Sequence, residues 1–157
     1  MVARQVNWSS ALSFFKYRLL QGDIYTKERM HRFKMVTDNK CDHCGALEDV
    51  KHMMWECSRV KGMWRVLQNV FIDFDRQGEI SFGSLFIGFN PTNPILESLL
   101  TRVTRSIMSR ERADQLSIQQ IKNELVEHCE LNIFTLKSKQ NKIDEWKKIK
   151  ALIETNL

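Results

Sequence analysis

The sequence predicts a mostly α-helical protein, in which a small Cys-Cys-His-Cys module is flanked by helices and followed by a helical C-terminal region. Apolar residues recur at helical spacing in several segments of the chain. Neither glycine nor proline occurs between residues 95 and 157, which favours long helices there. Three of the four cysteines lie within residues 41–57, at a spacing typical of zinc sites. Together, these observations indicate a zinc knuckle set among helices.

Length and composition are those of an ordinary globular protein. The 157 residues suffice for one domain, or for one domain with a small appendage. Hydrophobic residues make up 43% and charged residues 27% of the chain, so enough apolar side chains are available for a core. We expect three segments: a helical zinc-binding module at residues 8–72, an irregular linker at residues 73–93, and a helical region at residues 94–157.

The first two helices are indicated by an apolar stripe and by capping residues. The first helix is expected from about residue 9 to residue 20, and Gly22 and Asp23 end it. Thr26 is a good N-cap for a short second helix that runs to Phe33. The stripe of the first helix consists of Trp8, Ala11, Leu12, Phe15 and Leu19.

The next two helices surround the end of the Cys/His pattern. Glu48 and Asp49 are placed to cap a helix that carries His52, and Ser58 is placed to cap the helix after it. Large aromatic residues are expected to pack around a metal in a small module, so we expect core positions for its tryptophans rather than base-stacking roles. The apolar stripe here includes Trp55, Val60, Trp64, Leu67 and Phe71.

Residues 80–89 are apolar with two glycines, and periodicity leaves a short strand, an irregular packed loop or a helical turn open. Asn93 followed by Pro94 predicts an N-cap with proline at the first helical position. Ser117 and Gln120 form a capping box for another helix. A last apolar stripe lies on that helix or on one more, and consists of Ile143, Trp146, Ile149 and Ile153.

The pattern C-x2-C-x7-H-x4-C predicts one structural Zn²⁺ ion bound by Cys41, Cys44, His52 and Cys57. Two cysteines three positions apart can offer both sulfurs to one metal, and Gly45 supplies the positive φ that such a turn needs. Four protein ligands fill a tetrahedral ion and leave no position for water. The site is therefore expected to be structural rather than catalytic.

His43 is the local competitor for the fourth ligand position, but inside the knuckle its side chain would tend to point away from the metal. Cys129 is left over, and we expect it to be a core or half-buried helix residue. A disulfide is disfavoured because nothing marks the chain as secreted. We expect an intracellular location, nuclear or cytoplasmic.

The residues next to the ligands follow a pattern of their own: FKYRLL at residues 15–20, TKER at residues 26–29, Glu48, WEC at residues 55–57, and Trp64. With the ligands, they resemble the zinc-binding segment of non-LTR (LINE-type) retrotransposon reverse transcriptases, which lies C-terminal to the polymerase core. The resemblance covers about residues 14–67. It implies a polyprotein fragment that helps to hold template RNA or target DNA during target-primed reverse transcription. Met1 followed by a complete helix instead favours an open reading frame of its own.

Catalytic motifs are missing from the sequence. It contains no Tyr-x-Asp-Asp or similar aspartate pair of a polymerase, and no glycine-rich phosphate loop. Asp73 and Asp75 lie in a predicted loop without a histidine partner for nuclease chemistry. We therefore expect that this chain is not an enzyme and takes no small-molecule substrate.

A zinc-stabilised module that binds RNA or DNA through phosphate contacts is the leading functional interpretation. The formal net charge of +5 is compatible with this partner without proving it. Basic side chains on or beside the zinc module are the candidates for phosphate contacts: Arg29, Arg32, Lys34, Lys40, Lys51, Arg59 and Lys61.

The alternative is a protein-interaction or scaffold module. In this interpretation zinc only holds the fold, and the apolar faces of the C-terminal helices dock onto the reverse-transcriptase core or onto another copy. The lysines between residues 137 and 150 would then form an ordinary solvated face. A membrane partner is not expected, because no run of apolar residues approaches the length of a membrane span.

Overall fold

The computed structural model describes residues 10–87, 93–110, 117–136 and 139–157. Predictions that concern Trp8, residue 9, residues 88–92 and Lys137 lie outside these ranges. Within the described residues, the backbone forms helices and a single isolated antiparallel bridge, so the predicted mostly α class is confirmed. The elements are α1 (Ser10–Leu20), α2 (Lys27–Arg32), a π-helical segment (His52–Glu56), α3 (Ser58–Phe74), α4 (Phe82–Ile87), α5 (Pro94–Arg110), α6 (Ile118–Thr135) and α7 (Gln140–Asn156).

The predicted ends of the first two helices are confirmed. Gly22 follows α1 with a φ of 65°, in the left-handed region that glycine adopts without steric cost. Thr26 is extended, and its side-chain oxygen accepts a hydrogen bond from the Arg29 N–H at 3.2 Å. Helix α2 ends at Arg32, one residue before the expected end.

The predicted cap at Ser58 is wrong. Ser58 is the first residue of α3, and the N-cap position before it is taken by Cys57, which makes no side-chain capping hydrogen bond. The N-cap residue leaves the helical conformation, and here the metal-binding pattern places a cysteine at that point (φ −58°, ψ 133°). The Cys57 carbonyl still accepts the N–H of Lys61 and so starts the helix.

The predicted caps of the C-terminal helices are confirmed. The Asn93 side-chain oxygen accepts the Leu96 N–H, and the Ser117 hydroxyl accepts the Gln120 N–H, both at 3.2 Å. The last apolar stripe lies on a separate helix, α7. The segment expected as an irregular linker contains the six-residue helix α4, the helical turn among the three alternatives.

One hydrophobic core runs through the described helices. Helix α3 packs against α7 and the π-helical segment, α5 packs against α6 and α1, and α6 packs along α7. Buried residues of the metal-binding segment (residues 41–57), such as Met53 and Met54, belong to the same cluster as Leu67 of α3 and Ile149 of α7. The division into three segments stays a prediction. No described helix has the length and apolarity needed to cross a membrane.

Candidate metal centre

The first two ligands lie on a tight turn, called here the knuckle (residues 41–45). The Cys41 carbonyl accepts the Gly45 N–H at 2.8 Å, and the Cys41 N–H donates to the Ala46 carbonyl at 2.7 Å. Gly45 has a φ of 75°, as predicted from its place after Cys44. A single antiparallel bridge between Lys40 and Leu47 closes the base of the turn. The backbone alone therefore brings the Cys41 and Cys44 side chains to one side.

The other two ligands are held by a π-helical segment. The Cys57 N–H donates to the His52 carbonyl at 2.9 Å, a bond from residue i+5 to residue i. In an α-helix, residues five apart lie about 140° apart around the axis, because one turn takes about 3.6 residues. The wider π turn reduces this separation and brings His52 and Cys57 to the same face. Sequence reasoning missed this turn.

The four predicted ligand atoms converge, and all lie within 4.8 Å of one another. The Sγ atoms of Cys41 and Cys57 are 4.0 Å apart, and Cys44 Sγ lies 3.3 Å from His52 Nε2. Ligand atoms about 2.0–2.3 Å from a tetrahedral zinc ion are about 3.3–3.8 Å apart, so the spacing and the donor set fit zinc. The four residues form one zinc-binding site, called here the metal centre.

Burial disfavours the ionised form of the Cys57 thiol unless a cation binds beside it. The pKa of the Cys57 thiol is raised to about 11, first by burial and also by the neighbouring Cys41 and Cys44. The Arg59 backbone N–H opposes this shift by stabilising the thiolate. Three thiolates packed together without a cation would repel one another in a poorly solvated place. A bound Zn²⁺ ion would supply the compensating charge, leaving a formal charge of −1 at the metal centre.

Two neighbouring acidic residues, Glu48 and Asp49, form capping hydrogen bonds next to the metal centre. The Asp49 carboxylate accepts the His52 N–H at 2.7 Å, so its predicted capping role is confirmed. Glu48 caps a different helix: its carboxylate accepts the Lys27 N–H at 2.8 Å, and its carbonyl accepts the Glu28 N–H at 3.1 Å. Glu48 is buried and ties the start of α2 to the metal-binding segment.

His43 and Cys129 lie outside the metal centre, as expected. His43 is exposed and is not part of the convergent group, which supports the choice of His52. Cys129 is fully buried in α6, where burial raises the pKa of its thiol to about 12 and keeps it protonated. Neither residue therefore competes for the metal.

The predicted nucleic-acid-binding residues fall into two groups. Arg29, Arg32 and Lys51 bind carboxylates of the same chain, namely those of Asp23, Glu28 and Glu56 in that order. Arg59 is half-buried.

The other group consists of Lys34, Lys40 and Lys61. These three side chains are exposed, and none forms an ion pair within the part of the chain that the structure describes. Sequence reasoning missed a fourth cation of this kind, Arg65 on α3, which lies one helical turn after Lys61 and is also exposed.

The two tryptophans beside the metal centre differ from each other. Trp64 is 5% exposed, and its indole N–H donates to the Met54 carbonyl at 2.7 Å, so it is a core residue as predicted. Trp55 is only half-buried, and its ring centroid lies 5.6 Å from that of Trp64 with a tilt of 33°. Trp55 therefore keeps part of its surface accessible beside a buried ring.

A site of three cysteines and one histidine, closed by a knuckle and a π turn and set among helices, defines a structural zinc-binding module. Comparison with protein families agrees with this class. Residues 4–64 match the family described as zinc-binding in reverse transcriptase, and the match contains all four ligands. This region and its ligand cluster fit the zinc-binding region of reverse transcriptases, which is distinct from the catalytic core. No curated protein and no solved structure matches the chain.

Proposed function

We propose that this chain is a non-catalytic, zinc-stabilised nucleic-acid-binding module of a retrotransposon-type reverse transcriptase, which helps to hold template RNA or target DNA. Three exposed lysines close in sequence to the metal ligands support this role: Lys34, Lys40 and Lys61. They have no intramolecular ion pair among the described residues. Cations that are not neutralised within the chain are available for phosphates.

Lys34 carries a second observation. Its φ is 57°, in the left-handed region that a side chain with a Cβ adopts at a cost of roughly 1–2 kcal/mol. Glycine or asparagine is usual at such a position just after a helix. A lysine held there, exposed and without an ion pair among the described residues, is consistent with selection for its charge rather than for stability.

Binding of the zinc-loaded chain to RNA, single-stranded DNA and duplex DNA over a salt series tests the proposal. We expect affinity for every nucleic acid to fall with salt. Replacing Lys34, Lys40 and Lys61 together with Gln should reduce the slope of log affinity against log salt by roughly 2–3, because each phosphate contact contributes about 0.7–0.9. Zinc content and helicity should stay unchanged, because exposed charges contribute little to stability.

A matched control removes three positive charges elsewhere. Lys139, Lys147 and Lys148 lie in or beside α7, outside the metal-binding segment. Replacing all three with Gln lowers the net charge by the same amount and should reduce the slope much less. If the control variant loses binding and the first variant does not, the nucleic-acid surface lies on the C-terminal helix and the zinc module only supports the fold.

Lys34→Gly separates function from stability at a single position. Glycine relieves the left-handed conformation and should raise the free energy of unfolding by up to about 1 kcal/mol. The same change removes one phosphate contact and should weaken nucleic-acid binding. A variant that is more stable and binds equally well would argue against a role for Lys34.

A protein-docking role is the second candidate, and one observation favours it. The apolar faces of α6 and α7 expected to dock are buried inside the chain, as in Leu125 and Trp146. Helix α1 instead exposes Phe14, Tyr17 and Leu20, each more than half accessible. Concentration-dependent self-association, or capture of a reverse-transcriptase core that is lost when these three residues are replaced by Ser, would support docking.

A further inference from the structure

We propose that a pocket beside the metal centre binds one unpaired base of a single-stranded nucleic acid. The inference rests on the proposed function and adds to it the form of nucleic acid that the chain selects. The pocket has a volume of about 270 Å³ and lies between the π-helical segment, α3 and the loop before α4. Small-molecule sites usually measure about 300–1,000 Å³, so this pocket suits one planar ring system. Its lining residues are Trp55, Lys61, Trp64, Arg65, Gln68 and Ile80.

Trp64 and Trp55 form the aromatic wall of the pocket. Trp64 is buried and held in place, and Trp55 is partly accessible. Trp64 is fixed by its hydrogen bond to the Met54 carbonyl and supports Trp55 from below. Trp55 is half-buried, and no described residue accepts a hydrogen bond from its indole N–H. A half-exposed indole backed by a second ring offers a flat apolar surface of the kind on which a base stacks.

Two cations stand beside the aromatic wall. Lys61 and Arg65 are one helical turn apart on α3, and both are exposed without an ion pair among the described residues. The nearby Glu56 carboxylate is bound to Lys51 at 2.7 Å, and Lys51 first and Lys61 more weakly lower its pKa, so Glu56 attracts Lys61 without forming an ion pair with it. The pocket therefore joins an aromatic wall to positive charge, which is complementary to a base and its flanking phosphates.

The far wall of the pocket is formed in advance of any ligand. The Gln68 side chain accepts the Ile80 N–H at 2.7 Å and donates to the Gly78 carbonyl at 3.3 Å. Gly78 lies so close to α3 that an added Cβ would come within 2.6 Å of the Phe71 carbonyl oxygen. The Gln68 amide thus uses one donor and one acceptor on the wall itself, and the contacts left for a ligand are mainly stacking and charge. Recognition should therefore tolerate any base.

A duplex cannot use such a pocket, because its bases are stacked and paired inside the helix. A single strand can place one unpaired base on Trp55 while its phosphates reach Lys61 and Arg65. An acidic peptide would satisfy the two cations, but it brings no planar group of this size unless an aromatic residue lies at the matching position. The combination of charge and aromatic surface favours the single strand.

Three probes of about 12 nucleotides test the inference on the zinc-loaded full chain: a thymidine strand, a strand of the same length without bases, and a duplex. The thymidine strand should bind roughly 5- to 150-fold more tightly than the strand without bases, since one stacked base contributes about 1–3 kcal/mol. Trp55→Ala should remove this difference and leave duplex binding within about twofold. Trp55→Phe should restore most of it.

Phe134→Ala is the matched control. Phe134 is an exposed aromatic residue of α6, about 24 Å along the helix axis from Ile118, which lies beside Arg59 of α3. This change should leave binding of all three probes unaltered. Replacing Lys61 and Arg65 with Gln should lower the salt slope for the thymidine strand by about 1.4.

Equal affinity for the strands with and without bases would overturn the inference, as would a loss in Trp55→Ala no larger than that in Phe134→Ala. Salt-dependent binding would persist in both cases, so the proposed function would stand. Failure of the unaltered chain to bind any probe would overturn the proposed function itself. If Trp55→Ala loses zinc or helicity, Trp55→Phe and the strand without bases decide the question.

Discussion

Two regions of the molecule are stabilised by different means. The metal region (residues 26–57) contains the knuckle, α2 and the π-helical segment, and most of its side chains before residue 48 are exposed. The helical body (α3, α5, α6 and α7) buries a continuous set of apolar side chains, including Leu67, Leu99 and Ile149, each with no accessible surface. Hydrogen bonds and metal ligands determine the first region, and apolar packing determines the second.

The difference shows how a short segment without a core of its own can still be ordered. Between Phe33 and Leu47, the side chain of Cys41 alone is buried. Order there depends on the metal centre, on the Glu48 and Asp49 caps and on attachment to the helical body through Met53, Met54 and Cys57. The metal region should therefore be the part that responds to metal, and the helical body the part that responds to core substitutions.

Removal of zinc is expected to have the largest effect. Structural zinc contributes about 10–16 kcal/mol of apparent binding free energy in small zinc modules, and that free energy is folding free energy. Chelation, or Cys41→Ser, should abolish hydrogen-exchange protection in residues 26–57 while α6 and α7 stay protected. Cys129→Ala is the control and should retain one equivalent of zinc. Equal loss of protection in both regions would show that the comparison is wrong.

His52 and His43 separate a ligand from a neighbouring histidine within the metal region. His52→Ala removes a ligand and should lower zinc affinity by more than about 100-fold, the upper range for residues that only support a ligand. His43→Ala should leave the affinity almost unchanged, because His43 is exposed outside the convergent group. Competition with a chromophoric chelator measures both affinities. The reverse order would mean that His43 is the fourth ligand.

A core truncation tests the helical body. Leu67→Ala in α3 should lower the free energy of unfolding by about 2–5 kcal/mol, because it leaves a cavity among fully buried side chains. Zinc content should stay at one equivalent. Leu131→Ala in α6 changes the same side chain where it is 52% exposed, and should cost less than about 0.5 kcal/mol. Loss of zinc in Leu67→Ala would instead show that the two regions depend on each other.

The stability of the helical body should also depend on pH, through His128 of α6. Burial and the nearby Arg102 lower the pKa of His128 to about 4, against an ordinary value of 6.5. Below about pH 6.5 the unfolded chain binds a proton at His128 that the folded chain does not bind. The free energy of unfolding should therefore fall by up to about 3 kcal/mol as the pH is lowered from 6.5 to 4. His128→Gln should remove this part of the slope in chemical unfolding. Zinc release by acid affects both proteins and cancels in the difference.

The sequence was sufficient for the metal ligands and for most helix ends, because these depend on local patterns. The spacing of Cys41 and Cys44, the glycine after them and the caps at Thr26, Asn93 and Ser117 act within a few residues. Some of the features that were missed are local, such as the π turn between His52 and Cys57, and others depend on distant contacts. Glu48 caps a helix 21 residues earlier, which no local pattern records.

The basic residues of the metal region also show that a sequence pattern does not record contacts made by the fold. Arg29 and Arg32 belong to a run of positive charge in the sequence, yet the fold gives each a carboxylate partner. Lys34, in the same run, has no ion-pair partner in the described part of the chain. Composition therefore predicted a basic segment correctly, and only the three-dimensional arrangement distinguishes the cations that are available to a phosphate. The contacts to nucleic acid themselves stay a prediction.

The hydrogen bond from Cys57 to His52 also restricts changes in chain length. Inserting one residue between them would turn the helix further and move Cys57 away from the other ligands, whereas deleting one would restore an ordinary α-helical turn, in which residues four apart still share a face. The exposed stretch around Thr37 and Asp38 carries no ligand and no helix. We therefore expect related chains to vary in length there, while the interval between the histidine and the last cysteine does not lengthen.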